Sequence, residues 1–154
     1  TMEITKIPHK ILTKKMAEVA VENIKKGSYR ELISGMKKAM KENEGVGLAA
    51  NQIGRDLAIF VIDAKTANAF RAPEVYFNPE ITGYSKDTDK VEEGCLSIPE
   101  FYAPIKRAKK IKIKFVDENG NRQKIKAKGF LARVLQHETD HLNGLVIKDR
   151  ANER

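Results

Sequence analysis

An α+β fold is predicted by three features of this 154-residue sequence. Some stretches space their apolar residues as helices do, others alternate as strands do, and the two follow one another without a β-α-β rhythm. No internal repeat, low-complexity tract or Pro/Gly-rich linker divides the chain. Its length suits one domain with a real hydrophobic core, so residues 1–154 are read as a single domain.

The elements follow in order. Met16, Val19, Ala20 and Ile24 are spaced to predict a helix over 13–26, ended by Gly27. Ser28 opens a second helix, with Glu31 three positions on as a capping box and an apolar stripe of Leu32, Ile33, Met36, Ala39 and Met40. It should stop near Asn43, because Gly45 and Gly47 follow. The unbroken, branched run from Leu57 to Ile62 reads as a buried strand, and Val75 to Phe77 as a short strand ended by Asn78-Pro79. From Ile111 to Val116 the chain alternates, with Ile111, Ile113 and Phe115 on one face and Lys112 and Lys114 on the other. Asn119-Gly120 turns it, and Gln123 to Lys128 returns, which predicts a hairpin with one wet, basic face. A last helix runs from about Gly129 to Leu142, buries Phe130, Leu131, Val134 and Leu135, and is capped by Gly144.

Composition excludes some classes. No apolar run approaches the roughly 18–20 residues a membrane span needs, and no charged segment followed by an apolar one marks a secretory signal. A cytoplasmic location is therefore expected. The single cysteine, Cys95, cannot staple the fold. The formal charge of +8 permits an anionic partner without requiring one.

The strongest chemical signal is His137-Glu138-Thr139-Asp140-His141. Residues i and i+4 share a helix face, so two imidazoles so placed can grip one metal ion. Glu138 then stands where a carboxylate can take a proton from water at that metal. The competing reading is a solvated helix end with two surface histidines, but two of the chain's three histidines fall in this pentapeptide. A third protein ligand is needed. A downstream Glu of the thermolysin kind has little room, since 13 residues follow His141, and Ile147 stands where HExxHxxGxxH requires its last histidine. Cys95, in Glu93-Gly94-Cys95-Leu96-Ser97, is the remaining candidate, as a soft thiolate ligand. Spacing alone does not bring it to the histidines. A third segment, Gly45-Val46-Gly47-Leu48-Ala49-Ala50-Asn51-Gln52, would let backbone pass close to a substrate beside a non-titrating amide; by itself it reads first as a glycine-rich helix-to-strand connection.

These three segments, in this order, resemble the motifs GxGxAAxQ, EGCxS and HExDH of the peptide deformylase family. Gln136, Leu142-Asn143-Gly144, Asn78-Pro79-Glu80 and Arg107 add to the likeness, which covers nearly the whole chain. The resemblance implies antiparallel sheets packed around a central C-terminal helix that carries HExxH. It implies a metal-dependent hydrolase that takes the formyl group from the N-terminal formyl-methionine of nascent polypeptides. Cys95, His137 and His141 would hold one divalent metal ion, Fe²⁺ by preference in the cell, with Zn²⁺, Ni²⁺ or Co²⁺ able to replace it. Glu138 would carry the proton, and the Gln52 side chain and the Leu96 backbone N–H would hold the oxyanion. Backbone around Val46, Gly47 and Gly94 would pair with the peptide like an added strand. Val91, Phe130, Val134 and the aliphatic part of Glu93 would receive the methionine side chain.

The family likeness also bears on partners. A monomer is expected, with the ribosome near the nascent-chain exit as a candidate partner. Many bacterial members dock there by a C-terminal helix, for which this sequence stops short at Arg154, and the lysines of 106–114 read first as a solvated face. Thr139 replaces an apolar residue of many relatives; facing the core, its hydroxyl would need a carbonyl one turn back. An endopeptidase and an RNA-binding module that has lost its activity are the alternatives.

Overall fold

The computed structural model describes residues 2–151. Its centre is a five-stranded antiparallel sheet in the order β1-β2-β3-β6-β7, with β1 Gly47–Ala49, β2 Ile59–Ile62, β3 Val75–Tyr84, β6 Lys110–Val116 and β7 Arg122–Lys128. β4 Thr88–Cys95 and β5 Ile98–Ala108 form a separate two-stranded sheet. The helices are α1 Val21–Lys25, α2 Arg30–Glu42, α3 Ala64–Phe70, α4 Gly129–Leu142 and α5 Ile147–Arg150.

Hydropathy explains the layering. β2 is apolar at every position because helices cover both of its faces. Phe60 and Ile62 pack with Tyr76, Ile113, Phe115 and the α4 residues Leu131, Val134 and Leu135. Ile59 and Val61 pack on the other side with the predicted α2 stripe. β6 has only one covered face, hence its strict alternation of buried Ile111, Ile113 and Phe115 with exposed lysines. The α4 helix, buried on most of its circumference, lies against both sheets. Its end is a Schellman closure: Gly144 N–H donates to His141 O at 3.0 Å and Leu145 N–H to Asp140 O at 2.9 Å, with Gly144 at φ +81°.

The structure departs from the sequence reading in five places. Residues 14–20 form no helix, and only Val21–Lys25 of the expected 13–26 helix is α-helical. The backbone there is claimed by distant partners: Met16 N–H by Leu142 O, Ala17 N–H by Asp56 Oδ1, and Val19 N–H by Asn78 Oδ1. Ser28 and Glu31 make no capping box; α2 starts after Tyr29 without a side-chain cap. β3 does not end at Asn78-Pro79 but runs on to Tyr84 through a register shift, with Asn78 at φ +49°. The freed Asn78 amide spans both backbone groups of Val19. Phe130, expected on the buried side of α4 with Leu131, Val134 and Leu135, is instead exposed, because it sits at the open start of the helix. Finally, β1, β4, β5, α3 and α5 were not foreseen; β4 is largely exposed, and β5 mixes buried and exposed positions without clean alternation.

Candidate active site

The HETDH segment is helical because α4 presents period-3.6 apolar residues to two sheets. His137 and His141 consequently sit one turn apart, with ring centroids 5.0 Å apart. Their Nε2 atoms approach to 3.2 Å. Cys95 ends β4, just before the two-residue turn Leu96-Ser97 that leads into β5. Its Sγ lies 3.3 Å from His141 Nε2. The three ligand atoms all fall within 4.8 Å of one another. Donors held roughly 2.0–2.3 Å from one tetrahedral ion stand roughly 3.3–3.8 Å apart, so the cluster fits a single metal. No shared proton could bridge all three donors. Their chemistry, one sulfur and two imidazole nitrogens, suits zinc or ferrous iron.

The histidines are oriented from behind. His137 Nδ1 meets Glu93 Oε1 at 2.8 Å, which leaves Nε2 facing the cluster. Asn51 Nδ2 donates to His141 O at 2.6 Å and steadies the helix at that histidine. Glu93 is itself clamped: Arg107 donates to both of its oxygens at 2.8 and 2.9 Å, and Arg133 to Oε2 at 2.5 Å. Burial alone would raise the Glu93 pKa, but the hydrogen bonds from His137 and Arg107 outweigh it and hold the carboxyl well below its usual range. Arg107 also donates to Asp140 at 2.7 Å, and Arg133 to Asp89 Oδ1 at 2.7 Å, which ties β4 to α4.

Glu138 points the other way, into the cleft. It is buried, and its Oε1 has no hydrogen-bond partner among the described residues. Desolvation is the main cause that pushes its pKa up to about 7. Its carboxyl lies against Gly47: a Cβ there would come within 2.5 Å of Oε2 and 2.8 Å of Cδ. The Glu138 carboxyl therefore requires a glycine at position 47. Gln52 stands in a 3₁₀ turn at Ala50–Ile53. Its Oε1 accepts from Ala49 N–H at 3.0 Å, which turns Nε2 toward Ser97 Oγ at 3.1 Å and Cys95 Sγ at 3.7 Å.

These groups open on a cleft of about 1220 Å³. Val46, Gly47, Gln52, Val91, Glu93, Gly94, Cys95, Leu96, Phe130, Val134, His137 and Glu138 all line it, and His141 lies deeper. Every site residue expected from the sequence is thus brought together. β1 on one side and β4 on the other are both edge strands. Val91 and Phe130 are large apolar side chains left 45% and 49% exposed at its wall. Sequence reasoning missed the carboxylate role of Glu93, taken there as an aliphatic wall, and missed Arg133 altogether. The available signal for Arg133 was a charged residue inside the apolar face of α4. Thr139 does face the core, but its hydroxyl has no partner among the described residues, in place of the expected carbonyl.

Two imidazoles in one cluster also govern metal uptake. Burial disfavours charge on His137, but the hydrogen bonds to Cys95 and Glu93 and the Glu138 charge outweigh it, pushing it up to about 10. Burial and the charge on His137 push His141 well below its ordinary value. Without metal the pair therefore holds a proton on His137 at neutral pH, and a metal must displace it. Metal affinity is expected to rise at least about tenfold per pH unit between pH 7 and 9, measured by chelator competition. A flat profile would mean that His137 enters the reaction already neutral.

A helix-borne histidine pair, a cysteine from a facing hairpin and a buried carboxylate on a cleft define a metal-dependent hydrolase. The polypeptide deformylase family model matches residues 1–154. A peptide deformylase of Treponema pallidum strain Nichols is 45% identical over 125 residues, covering 81% of this chain and 74% of that protein. One from Prochlorococcus marinus subsp. pastoris is 41% identical over 155 residues, covering 100% and 75%. The crystal structure of peptide deformylase from Thermotoga maritima matches with a TM-score of 0.89 at 36% identity, covering 99% of this chain and 98% of that one. A peptide deformylase from Synechococcus elongatus, in complex with actinonin, matches at 0.87 and 34%, covering 99% and 80%. The chain belongs to the polypeptide deformylase family. Its activity is the metal-dependent hydrolysis that removes the N-formyl group from the N-terminal formyl-methionine of nascent polypeptides.

Proposed function

We propose that residues 1–154 act as a single catalytic domain in which Cys95, His137 and His141 hold one divalent metal ion, ferrous iron in the cell. Zinc, nickel or cobalt would fit the same donors. The observation that carries this reading is the convergence of those three donors, remote in sequence, beside Glu138 in one cleft. When bound, the metal supplies Lewis-acid polarisation of the formyl carbonyl and acidifies water.

The chain's own residues do the rest. Glu138, with a pKa near neutrality, takes the proton from the attacking water and returns it to the departing amine. The Gln52 Nε2–H, aimed by Ala49 and Ser97, and the Leu96 N–H hold the negative charge that develops on the formyl oxygen. Each such donor is worth about 3–4 kcal/mol when preorganised. The formyl-methionyl peptide lies as an extra strand between the edges of β1 and β4, using backbone groups of Val46, Gly47 and Gly94. Val91, Phe130, Val134 and the stem of Glu93 receive the methionine side chain. The protein works as a cytoplasmic monomer, near the ribosome, where formylated chains emerge.

The test is formate release from a formyl-methionyl tripeptide by anaerobically purified, metal-loaded protein. Formate is expected, without cleavage of internal bonds in an unblocked peptide. Internal cleavage, or no formate from protein with full metal content, overturns the reading.

A further inference from the structure

The outer face of the β6–β7 ribbon carries a charge pattern that the catalytic cleft does not use. Register places Lys110 opposite Lys128, Lys112 opposite Lys126, and Lys114 opposite Lys124. All six are exposed, while Ile111, Ile113, Phe115 and Ala127 between them face the core under α4. Strand geometry makes this a two-by-three grid roughly 13 Å long and roughly 5 Å wide. Like charges placed directly opposite one another destabilise a strand pair. Lysines on the edge strand β7 are sufficient to discourage edge-to-edge pairing. That device does not call for three more on the inner strand, each facing one of them. Nearby acids neutralise little: Glu80 bridges Lys114 at 3.0 Å, and the Asp117 oxygens accept from Asn119, Asn121 and Gln123 in the hairpin turn.

We propose that this face binds the phosphate backbone of double-helical RNA. A regular grid of cations matches a regularly spaced polyanion, whose phosphates relieve the repulsion between the opposed lysines. The grid contains no aromatic side chain on which an unpaired base could stack, so it fits a duplex backbone rather than splayed bases. The choice of RNA over DNA rests on the deformylase reading, since nascent polypeptides are made on an RNA particle. Binding is measured without turnover, so the two readings fail separately.

The experiment is fluorescence anisotropy of a labelled RNA hairpin with the metal-loaded full chain across a salt series. A slope of log K against log [salt] of about −4.5 to −5.5 is expected from five or six phosphate contacts. In K110T/K112T/K126T/K128T the slope should shrink by about 3–4 units and affinity at moderate salt should fall at least about 100-fold. Formate release should be unchanged. Threonine keeps strand propensity, so the melting temperature should not fall. K112Q/K126Q, losing about tenfold, serves if the fourfold variant does not fold, and K38Q/K41Q on α2 should bind as the parent does. The proposal is overturned if the parent does not bind, if the lysine variants bind unchanged, or if the α2 variant loses binding equally. It is also overturned if phosphatidylserine vesicles bind as tightly as the RNA, or if a single-stranded RNA of the same length binds more tightly than the hairpin.

Discussion

Glu138→Ala is expected to lower kcat for formate release by about 10²–10⁴-fold, the usual loss when a positioned acid–base group is removed. Metal content should stay at the parent level, because Glu138 contributes none of the three clustered donor atoms. The same loss should follow from Gly47→Ala, whose Cβ would overlap Glu138 Oε2, Cδ and Cγ at 2.5–2.9 Å and drive the carboxyl from the cleft. Two distant substitutions with one phenotype separate a proton-transfer role from simple damage to α4. Elemental analysis beside single-substrate kinetics checks both. Retained turnover in Glu138→Ala would move the proton transfer to another group.

Glu93→Ala is expected to cost about 3–5 kcal/mol of folding stability, read by urea denaturation, because it leaves buried charges without their partner. Arg107 and Arg133 are both buried and both donate to Glu93. Loss of the His137 Nδ1 contact should also weaken metal binding about 10–100-fold. The pH dependence has a definite sign. The Glu93 pKa is held below its unfolded value near 4.5. Its contribution is therefore present above that value and is lost as pH falls below it. The parent should lose stability between about pH 4.5 and 3 more steeply than Glu93→Gln does. Equal acid sensitivity in the two proteins would place the acid-labile contact elsewhere.

How much of this was legible beforehand depended on where each residue's partners lie. The α2 stripe, the unbroken apolar run of β2, the alternation of β6 and the α4 helix were readable because burial imposes its period on neighbouring residues. The expected helix over 13–26 failed for the opposite reason: its backbone groups bond to Asp56, Asn78 and Leu142, and no local pattern announces that. Asn78-Pro79 read as a strand end, yet the bulge there lets β3 continue while the asparagine amide pins Val19.

The site divides in the same way. The spacing of His137, Glu138 and His141 along one helix is a property of the chain itself, because helix pitch alone sets which side chains share a face. The sequence also determined the presence of one soft donor, the Cys95 sulfur, and of an amide at Gln52. Only the tertiary structure decided that the β4–β5 turn delivers that sulfur to His141. It likewise decided that Glu93 turns its carboxylate to His137, and that Gly47 makes room for Glu138. These are contacts between residues some 40 to 90 positions apart. Packing of two sheets against α4 sets them, and helix pitch has no reach over such distances.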